Sequence, residues 1–370
     1  GSGPIKGFAS TLIIGIITSL FTALFITRLI FERWLDHNKK IIFVTKMTGE
    51  WLRHTSVHFI QKRKIFYYIS GTLVAISILS LTFKGLNYSI DFKGGRTYVV
   101  RFDKDVEVES IANALAPAFG GTAPEVKTYG GNNQVRITTD YKYAENDEAI
   151  DSQIEGLLYT GLKPYISANV TEEKFLTDYK LSSQKVGPTI SDDIRKSAIL
   201  AVIFSLLIIF LYIAVRFRNW AFGLGGLVSL AHDATILLGA YSILDGILPF
   251  SLAIDQAFIA AILTVLGYSI MDTVVVFDRI REYLHLHPKQ NTIKTYNDAM
   301  NSTLRRTFST SLTTLVVLTA IFLFGGTSIQ GFIFALLFGV FIGTYSSVFV
   351  ATPIAYDSLP KSKHILEEKK

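Results

Sequence analysis

Residues 257–277 read AFIAAILTVLGYSIMDTVVVF, an apolar run long enough to cross the hydrocarbon core of a membrane. Asp272 lies inside this run and not in the loop that follows it. An acidic side chain there costs about 2.5–3.5 kcal/mol on insertion scales, so such residues usually mark an ion or proton path. The alternatives are a carboxylate that snorkels to the interface or one that forms a structural ion pair. Asp278 opens the charged run 278–282 and is predicted to end the helix in water.

The composition of the whole chain excludes an ordinary soluble protein. Hydrophobic residues make up 49% of the chain and charged residues 18%, and the mean hydropathy is +0.37. Charged residues occur in blocks between long apolar runs, as in α-helical membrane proteins. The net charge of +6 comes mainly from basic residues beside these runs and does not indicate nucleic-acid binding. The chain has no cysteine, which excludes disulfides and thiolate metal sites.

Seven apolar segments have spanning length: 8–31, 65–83, 197–215, 220–243, 254–277, 307–325 and 329–352. Loops rich in Lys and Arg lie on the cytoplasmic side of membrane proteins. Here the basic loops follow the first, third and fifth segments, and the C-terminal tail is also basic. These four places fall on one side of the membrane if every segment spans it. The pattern therefore predicts seven spans with the basic loops in the cytoplasm and the lipid bilayer as solvent.

The segment between the second and third spans has the composition of a soluble domain, on the periplasmic or extracellular side. Its patterning predicts strands at 96–102, 125–128, 134–138 and near 179–186, with helices at 108–118 and 149–162. This order is typical of a βαββαβ unit. The predicted fold class is a polytopic α-helical membrane protein of about seven spans with one βαββαβ-like α+β periplasmic domain. No metal-ligand spacing or nucleophile elbow occurs in this domain, so binding or movement is predicted and not chemistry.

An internal repeat relates the first span to the last. The series Gly7-Phe8, Leu12 and Gly15 matches Gly331-Phe332, Leu336 and Gly339. The match predicts that the chain begins with the last helix of one half and continues with a whole second half, as in transporters with two parallel repeats. The first, fifth and last spans also carry small residues about every fourth position, Gly15, Gly267 and Gly339 among them. This spacing predicts close packing of these helices or sliding along one another.

The sixth span carries a polar stripe that consists of Arg306, Ser309, Thr310 and Thr313. The fifth and sixth spans are antiparallel neighbours in sequence, which predicts Asp272 and Arg306 at comparable depth near the cytoplasmic side. A carboxylate held between a nearby cation and apolar surroundings can load and release a proton. The alternative for Arg306 is an ordinary positive-inside anchor, which is also the interpretation of Arg305.

His232 and Asp233 stand in the middle of the fourth span. A histidine beside an aspartate at membrane depth is a candidate proton relay. Asp233 is equally compatible with a structural hydrogen-bond anchor, and His232 is interpreted as structural. Adjacent residues on a helix point about 100° apart, so direct pairing between these two is not predicted.

Several motifs together resemble the SecF family of the bacterial Sec export system. They are NYSIDFKGGR at 87–96, Val186-Gly187-Pro188, His232-Asp233, GYSIMDTVVVFDRIRE at 267–282 and Arg306-Thr307. The match covers roughly residues 60–356, and residues 3–31 look like the last helix of SecD. The chain is thus similar to the C-terminal part of a fused SecDF protein of the resistance-nodulation-division superfamily.

This resemblance implies a function, partners and site residues. Such proteins are non-enzymatic factors that assist late preprotein translocation from the periplasmic face, after the SecYEG–SecA step, in the bacterial inner membrane. They use the proton gradient and no cofactor. A SecD-like half, the SecYEG translocon and preprotein substrates are the implied partners. The SecD half would supply a second membrane carboxylate, so this chain alone is not expected to couple protons to export.

The resemblance also assigns individual residues. The proton-relay candidates are Asp272, which corresponds to the family's membrane carboxylate, Arg306, which corresponds to its essential arginine, and Asp233. The helix motif contributes Gly267, Tyr268 and Asp278, and the periplasmic motif contributes Asp91, Gly94 and Gly95. Met271 stands where the family commonly has asparagine, so one polar contact beside Asp272 is expected to be missing.

The predicted organisation divides the chain into six parts. They are a SecD-like last helix (1–31), a cytoplasmic linker (32–64), the first SecF-like helix (65–83), the periplasmic domain (84–195), a five-helix membrane domain (196–356) and a cytoplasmic tail (357–370). Three other functions remain open: a substrate exporter of the same superfamily, an intramembrane aspartyl protease that uses Asp233 and Asp272, and a passive scaffold that binds the translocon. The single small domain disfavours the exporter, and the absence of a Gly-x-Gly-Asp context disfavours the protease.

Overall fold

Long helices form the body of the molecule. The structure is a computed structural model and describes residues 4–41, 55–145 and 148–359. Within these ranges, seven helices are long and apolar enough to cross a membrane. Parts of the predicted linker and tail, and residues 1–3, lie outside the described residues. All seven predicted spans are confirmed.

We number these helices spans 1 to 7 in chain order. Span 1 is Pro4–Phe21, continued by a π-helical turn at Thr22–Ile26 and by Thr27–Asp36; span 2 is Arg63–Phe83; span 3 is Pro188–Phe217; span 4 is Trp220–Leu244; span 5 is Gln256–Leu286; span 6 is Thr292–Phe324; and span 7 is Thr327–Ser346, continued by a π-helical turn at Ser347–Ala351 and by Thr352–Asp357.

Span 5 extends beyond the apolar run that identifies it. The run ends at Phe277, whereas the helix continues to Leu286, just before Pro288. Asp278 lies within this helix, so the prediction that it marks the helix end is wrong. Its carboxylate pairs with Arg281 at 2.8 Å, an i,i+3 contact that stabilises the helical backbone through the charged run.

The residues between spans 2 and 3 form the predicted α+β unit, which we call the sheet domain (residues 95–186). Its strands are β1 Gly95–Arg101, β2 Glu125–Tyr129, β3 Gly131–Thr139 and β4 Lys180–Val186. They form one sheet in the order β2-β3-β1-β4, in which all neighbours are antiparallel. Helices Val108–Leu115 and Glu148–Leu162 follow β1 and β3. The predicted βαββαβ order is confirmed.

One face of the sheet carries the core of this domain. Tyr98 and Val100 of β1 pack with Ile111, Leu115 and Leu158 of the two helices, and all five are buried. Side chains at alternate strand positions point to the opposite face, which lies over the ends of the spans. Lys127 on that face donates a hydrogen bond to Ser251 in the link between spans 4 and 5, at 3.3 Å. The sheet domain therefore rests directly on the helices.

Two element boundaries in the sheet domain differ from prediction. The first helix ends at Leu115 and not at residue 118, because Pro117 has no backbone N–H and its ring blocks a continued helix. The β2–β3 hairpin is tighter than the predicted strand limits, 128 and 134, imply. Gly130 alone turns the chain, with φ of +89°, so that Tyr129 pairs with Gly131. Glycine reaches this conformation without strain.

Spans 4, 5 and 7 form the buried centre of the helical body. Spans 5 and 7 approach closely, because a Cβ atom on Gly343 would lie 2.9 Å from the Cβ of Ser269 and one on Gly339 would collide with Val265. Close packing is thus confirmed for span 7. For Gly15 and Gly267 it is wrong, since both are exposed and no described atom lies within 4 Å of their Cβ positions.

Span 1 has a different environment from the other helices. None of its described side chains is buried, although its sequence resembles that of span 7. Both helices contain a π-helical turn, which begins seven residues after Gly15 in span 1 and eight residues after Gly339 in span 7. A π-helical turn at nearly the same place supports the predicted repeat, because such turns are rare.

Candidate functional site

Asp272 faces the interior of the helical body. It is only 5% exposed, and the hydroxyl of Ser311 on span 6 donates to its Oδ2 at 3.5 Å. The hydroxyl of Thr344 on span 7 lies 2.7 Å from that of Ser311. Asp272 is therefore a buried carboxyl in contact with the neutral hydroxyl of Ser311, and neither snorkelling nor an ion pair describes it. Hydroxyls can donate to a charged carboxylate or accept from a protonated one.

Asp233 is the second buried carboxyl of the spans, at 1% exposure. Its Oδ2 accepts hydrogen bonds from Ser269 of span 5 at 2.6 Å and from Ser346 of span 7 at 2.7 Å. Its Oδ1 lies 3.0 Å from Nδ1 of His232. The prediction that these neighbours do not pair is wrong, because the rotamers of the two side chains bring their ends together despite the 100° between their Cβ directions.

His232 retains one ring nitrogen without a protein partner. The residue is 6% exposed, and its Nε2 has no hydrogen-bond partner among the described residues. Its ring stacks against Tyr345 at 6.1 Å, and the hydroxyl of Tyr345 lies 3.0 Å from that of Ser70 on span 2. A neutral imidazole that donates from Nδ1 to Asp233 presents an acceptor at Nε2. This acceptor gives His232 a chemical capacity that a purely structural interpretation does not include.

The two carboxyls are linked through span 5. Ser269, which binds Asp233, lies three residues before Asp272 and therefore on a neighbouring part of the same helix face. The hydroxyls of Thr273 and Ser347 lie 3.1 Å apart and add a further contact between spans 5 and 7. Spans 4, 5, 6 and 7 thus contribute buried polar side chains around the two carboxyls, which we call the polar seam.

Arg306 does not bind Asp272 directly. Neither a hydrogen bond nor an ion pair within 4.0 Å joins the two described side chains. Arg306 is exposed and lines an open cavity of about 670 Å³ at the end of the helices remote from the sheet domain. Val275, one turn after Asp272, lines the same cavity. The arginine thus borders the same cavity as the turn of span 5 that follows Asp272.

The predicted hydroxyl stripe on span 6 points away from Asp272. Ser309 and Thr313 are exposed, and the hydroxyl of Thr313 donates to the carbonyl of Ser309 at 3.0 Å. The hydroxyl that reaches Asp272 belongs to Ser311, on the face that also buries Thr307. The prediction chose the wrong face, because span 6 carries hydroxyls on both faces and only packing distinguishes them.

The residues of the helix motif have separate environments. Gly267 is exposed, and the hydroxyl of Tyr268 donates to Thr314 on span 6 at 3.5 Å. Asp278 lies in the wall of the cavity that Arg306 lines and pairs there with Arg216 at 3.3 Å as well as with Arg281. Asp278 therefore anchors the ends of spans 3 and 5 to each other.

The motif that contains Asp91, Gly94 and Gly95 lies where the sheet domain meets the spans. Asp91 belongs to a short helix, Ile90–Lys93, and its Oδ2 accepts a hydrogen bond from the backbone N–H of Gln256 at 3.1 Å. Gly94 and Gly95 have φ of +77° and +140°, which L side chains rarely adopt. A Cβ on Gly95 would also lie 2.9 Å from the carbonyl oxygen of Thr139. The two glycines thus connect Asp91 to β1 through a path that other residues cannot follow.

Four hydroxyl residues that join the two carboxyls to neighbouring helices were not predicted as site residues. They are Ser269, Ser311, Thr344 and Ser346. Ser269 carries a local signal, since it lies one turn before Asp272 and would share its helix face. The other three come from spans 6 and 7, and nothing in their local sequence distinguishes them from hydroxyls that bond their own helix.

Two family models match the chain. The model for the C-terminal part of the protein export membrane protein SecD/SecF matches residues 167–360, which include spans 3 to 7. The model for the SecD/SecF GG motif matches residues 79–106, which include Asp91, Gly94 and Gly95. Together they cover the polar seam and the contact between the sheet domain and span 5.

Curated relatives match over most of the chain. A protein translocase subunit SecF from Rhodothermus marinus is 42% identical over 300 residues, which are 81% of this chain and 92% of the relative. A protein translocase subunit SecDF from Thermus thermophilus is 34% identical over 354 residues, which are 95% of this chain but 44% of the relative. The chain therefore has nearly the extent of SecF relatives and less than half the length of that SecDF relative.

Solved structures show the same fold. The crystal structure of SecDF from Thermus thermophilus, described as a translocon-associated membrane protein, matches with a TM-score of 0.78 and 32% identity. The match covers 96% of this chain and 45% of that one. A second SecDF structure, in a super-membrane-facing form, matches with a TM-score of 0.67 and 31% identity. The helical body and sheet domain thus have the arrangement of the corresponding part of SecDF.

Proposed function

The chain belongs to the SecD/SecF family of protein-export membrane proteins, and on this premise we propose that it is the SecF-type half of a proton-coupled accessory factor of the Sec translocon. A role in protein export and a position in the membrane follow from the family. The proposal adds that export is assisted from the periplasmic side of the bacterial inner membrane and is driven by the proton gradient. The buried, hydroxyl-bound Asp272 is the observation that carries it.

Asp272 has the surroundings of a proton-binding group. Its carboxyl accepts a hydrogen bond from Ser311 of span 6, and the hydroxyl of Ser311 is in turn bonded by Thr344 of span 7. A hydroxyl can donate to the charged carboxylate or accept from the protonated acid. Ionisable residues inside membrane helices commonly serve proton or ion paths. Asp233 and His232 extend the same seam across span 4. We propose that protons pass along this seam and that Asp272 binds and releases them.

Arg306 and its cavity provide the connection to the cytoplasm in this proposal. Arg306 lines the cavity that Val275 also lines and makes no ion pair with Asp272, so a proton that leaves the carboxyl in this direction would enter a positively charged cavity. A fixed cation there favours release, because it repels a returning proton. The positive-inside distribution of Lys and Arg supports the cytoplasmic assignment of this end. The sheet domain is then periplasmic.

The proposed partners include a second half, because the chain matches only part of the fused SecDF relative. It matches less than half of the fused SecDF relative, so a SecD-like half is proposed to complete the helical body and to supply a second membrane carboxyl. SecYEG and translocating preproteins are the proposed partners on the periplasmic side. We call the chain together with its SecD-like half the complete transporter.

The proposal is tested by export into membrane vesicles that contain the translocon and a slowly translocating preprotein. We define gradient stimulation as the ratio of export rates with the proton gradient present and after an ionophore collapses it, relative to vesicles without the transporter. The complete transporter should raise this ratio and should take up protons during export, measured with a pH-sensitive dye. Equal ratios with and without the transporter would show that the proposed function is wrong.

Arg306→Lys should reduce proton uptake several-fold without loss of protein from the membrane. Lysine keeps the charge but has a compact ammonium in place of the planar, delocalised guanidinium. The charge therefore lies at a different point of the cavity wall and has a different shape. The matched control is Arg305→Lys, the same substitution at the adjacent residue, which is not expected to alter uptake. Wild-type uptake in Arg306→Lys would exclude a specific guanidinium role and leave only that of a point charge.

A further inference from the structure

The residues just before the two glycines are joined to the residues just before span 5. The backbone N–H of Ile254 donates to the carbonyl of Asn87 at 2.7 Å, and that of Ser89 donates to the carbonyl of Ile254 at 2.9 Å. Tyr88 and Ile254 thus form a parallel β-bridge. We call residues 87–93 and 251–256 the junction. It connects two parts of the chain that are remote in sequence.

A side chain of the junction also caps the N-terminus of span 5. Gln256 is the first residue of this helix. Its N–H donates to Asp91, which belongs to the other segment of the junction, residues 87–93. Asp255 accepts from the N–H of Phe258 at 2.7 Å. The first N–H groups of a helix have no partner within the helix, and carboxylates stabilise that end. Asp91 therefore supplies part of the N-terminal cap of span 5 from outside the helix.

An apolar cluster packs beside these hydrogen bonds. Phe92, next to Asp91, belongs to one buried cluster with Leu252, Ile254 and Phe258. Burial raises the pKa of the Asp255 carboxyl, and the nearby charge of Asp91 acts in the same direction. Asp91, Asp255 and Gln256 are themselves only partly buried, so the hydrogen bonds of the cap join these groups beside the apolar cluster and not within it. The junction is therefore held as one unit.

Both sides of the junction continue into rigid elements. On one side, Gly94 and Gly95 lead directly into β1, the strand between β3 and β4 of the sheet domain. On the other side, span 5 runs without interruption to Asp272, about 24 Å further along the helix. A displacement of the junction therefore reaches Asp272 through one continuous helix.

From this geometry we propose that Asp91 is a positioning residue that ties the sheet domain to the helix carrying Asp272. The hydrogen bond from Gln256 makes the sheet domain and span 5 move as one body. A proton-dependent change at Asp272 therefore reaches the sheet domain. This inference rests on the proposed proton coupling and assigns to the GG motif the task of transmitting it. Asp91 itself lies outside the polar seam.

Two variants remove the same hydrogen bond from opposite sides in the complete transporter. Asp91→Ala removes the acceptor, and Gln256→Pro removes the donor. Proline fits the first position of a helix, and Asp255 before it has extended backbone angles that a following proline accepts. Asp91→Asn is the conservative variant, because its amide oxygen can accept the same hydrogen bond. Asp103→Ala is the control, a carboxylate of the sheet domain that bonds Ser167 and Tyr179 outside the junction.

Two measurements separate positioning from a merely structural role. The first is amide hydrogen exchange at the start of span 5, which should become at least tenfold faster in Asp91→Ala and stay unchanged in Asp91→Asn and Asp103→Ala. The second is gradient stimulation of export, which both Asp91→Ala and Gln256→Pro should lose while export after collapse of the gradient stays as in wild type. Asp91→Asn should restore stimulation.

The same assays with Asp272→Asn separate failure of this inference from failure of the proposed function. If Asp272→Asn abolishes stimulation while Asp91→Ala and Gln256→Pro retain it, Asp91 does not transmit the coupling and the inference is overturned alone. If stimulation persists in Asp272→Asn, the proposed function fails and the inference falls with it. A loss of gradient-independent export in Asp91→Ala and Gln256→Pro would indicate a structural role and also overturn the inference.

Discussion

Asp272→Asn in the complete transporter is expected to abolish gradient stimulation of export while the protein accumulates in the membrane as wild type does. Asparagine has nearly the size of aspartate, and its amide oxygen can still accept from Ser311. The packing of spans 5, 6 and 7 should therefore persist. What is lost is the ability to bind and release a proton, because an amide does not titrate in the accessible pH range. Proton uptake and export rate are measured in the same vesicles.

Asp278→Asn is the control for this experiment. Asp278 lies on the same helix as Asp272, but its side chain is 38% exposed and pairs with arginines at the helix ends. Partly exposed ion pairs contribute little, about 0–1 kcal/mol, so this variant should export nearly as wild type. Undiminished stimulation in Asp272→Asn would contradict the proton role of the residue. Equal losses in both variants would indicate a general effect of charge removal from span 5.

Much of the architecture could be predicted because it depends on long, local patterns. Seven apolar runs appear as seven helices, since a membrane requires a continuous length of apolar side chains with internally satisfied backbone groups. The βαββαβ order of the sheet domain follows from alternation and turn residues that are likewise local. The position of Asp272 at membrane depth could be anticipated for the same reason, because its neighbours along span 5 leave it no adjacent loop. Whether it faces lipid or the interior of the helical body could not.

Side-chain partners between helices could not be predicted in the same way. Span 6 carries hydroxyls on two faces, and its sequence alone favoured the stripe with Ser309 over the face with Ser311. The pairing of His232 with Asp233 depends on rotamers that surrounding helices select. Arg306 was expected beside Asp272, yet depth along a helix does not determine on which side of it a long side chain lies.

The junction shows most clearly which contacts could not be predicted from the sequence. Asp91 and Gln256 are 165 residues apart in sequence, and neither has a local pattern that indicates the other. The two glycines could be recognised as a motif, but their purpose is visible only where Gly95 meets the backbone of Thr139 and leads into β1. Long-range contacts of this kind are set by the whole fold, while motif recognition identifies only one of the two partners.

The second prediction with a large effect concerns Asp151, in the helix Glu148–Leu162 of the sheet domain. Arg96 follows the two glycines, and its side chain is only 2% exposed. Its guanidinium donates to Asp151 at 2.7 Å and also to the carbonyl oxygens of Tyr141 and Lys142. Removing one member of a buried ion pair leaves an uncompensated charge and costs about 3–5 kcal/mol. Asp151→Leu should therefore destabilise the sheet domain strongly.

The expected loss of stability in Asp151→Leu lies at the lower end of the range of about 3–5 kcal/mol. Asp151 is 40% exposed, and the carbonyl oxygens continue to bind the guanidinium, so the expected loss is about 3 kcal/mol. Amide exchange of β1 in the full chain should report it as a protection factor lowered by about two orders of magnitude. Lys185→Ala is the control. It removes a more exposed cation from the same carboxylate and should cost about 0.2–1 kcal/mol.

The ion pair also predicts how the sheet domain responds to acid. Burial disfavours the charged form of Asp151, but hydrogen bonds and charge from Arg96 and Lys185 outweigh this and hold its pKa below the ordinary value. A carboxyl with a lowered pKa stabilises the folded state above the pKa of the unfolded chain, about 3.9, and this contribution is lost as the pH falls through the folded value. Protection of β1 in wild type should therefore decrease below about pH 4. Asp151→Leu should lack this component, and an unchanged acid profile in that variant would assign the acid sensitivity to other carboxyls.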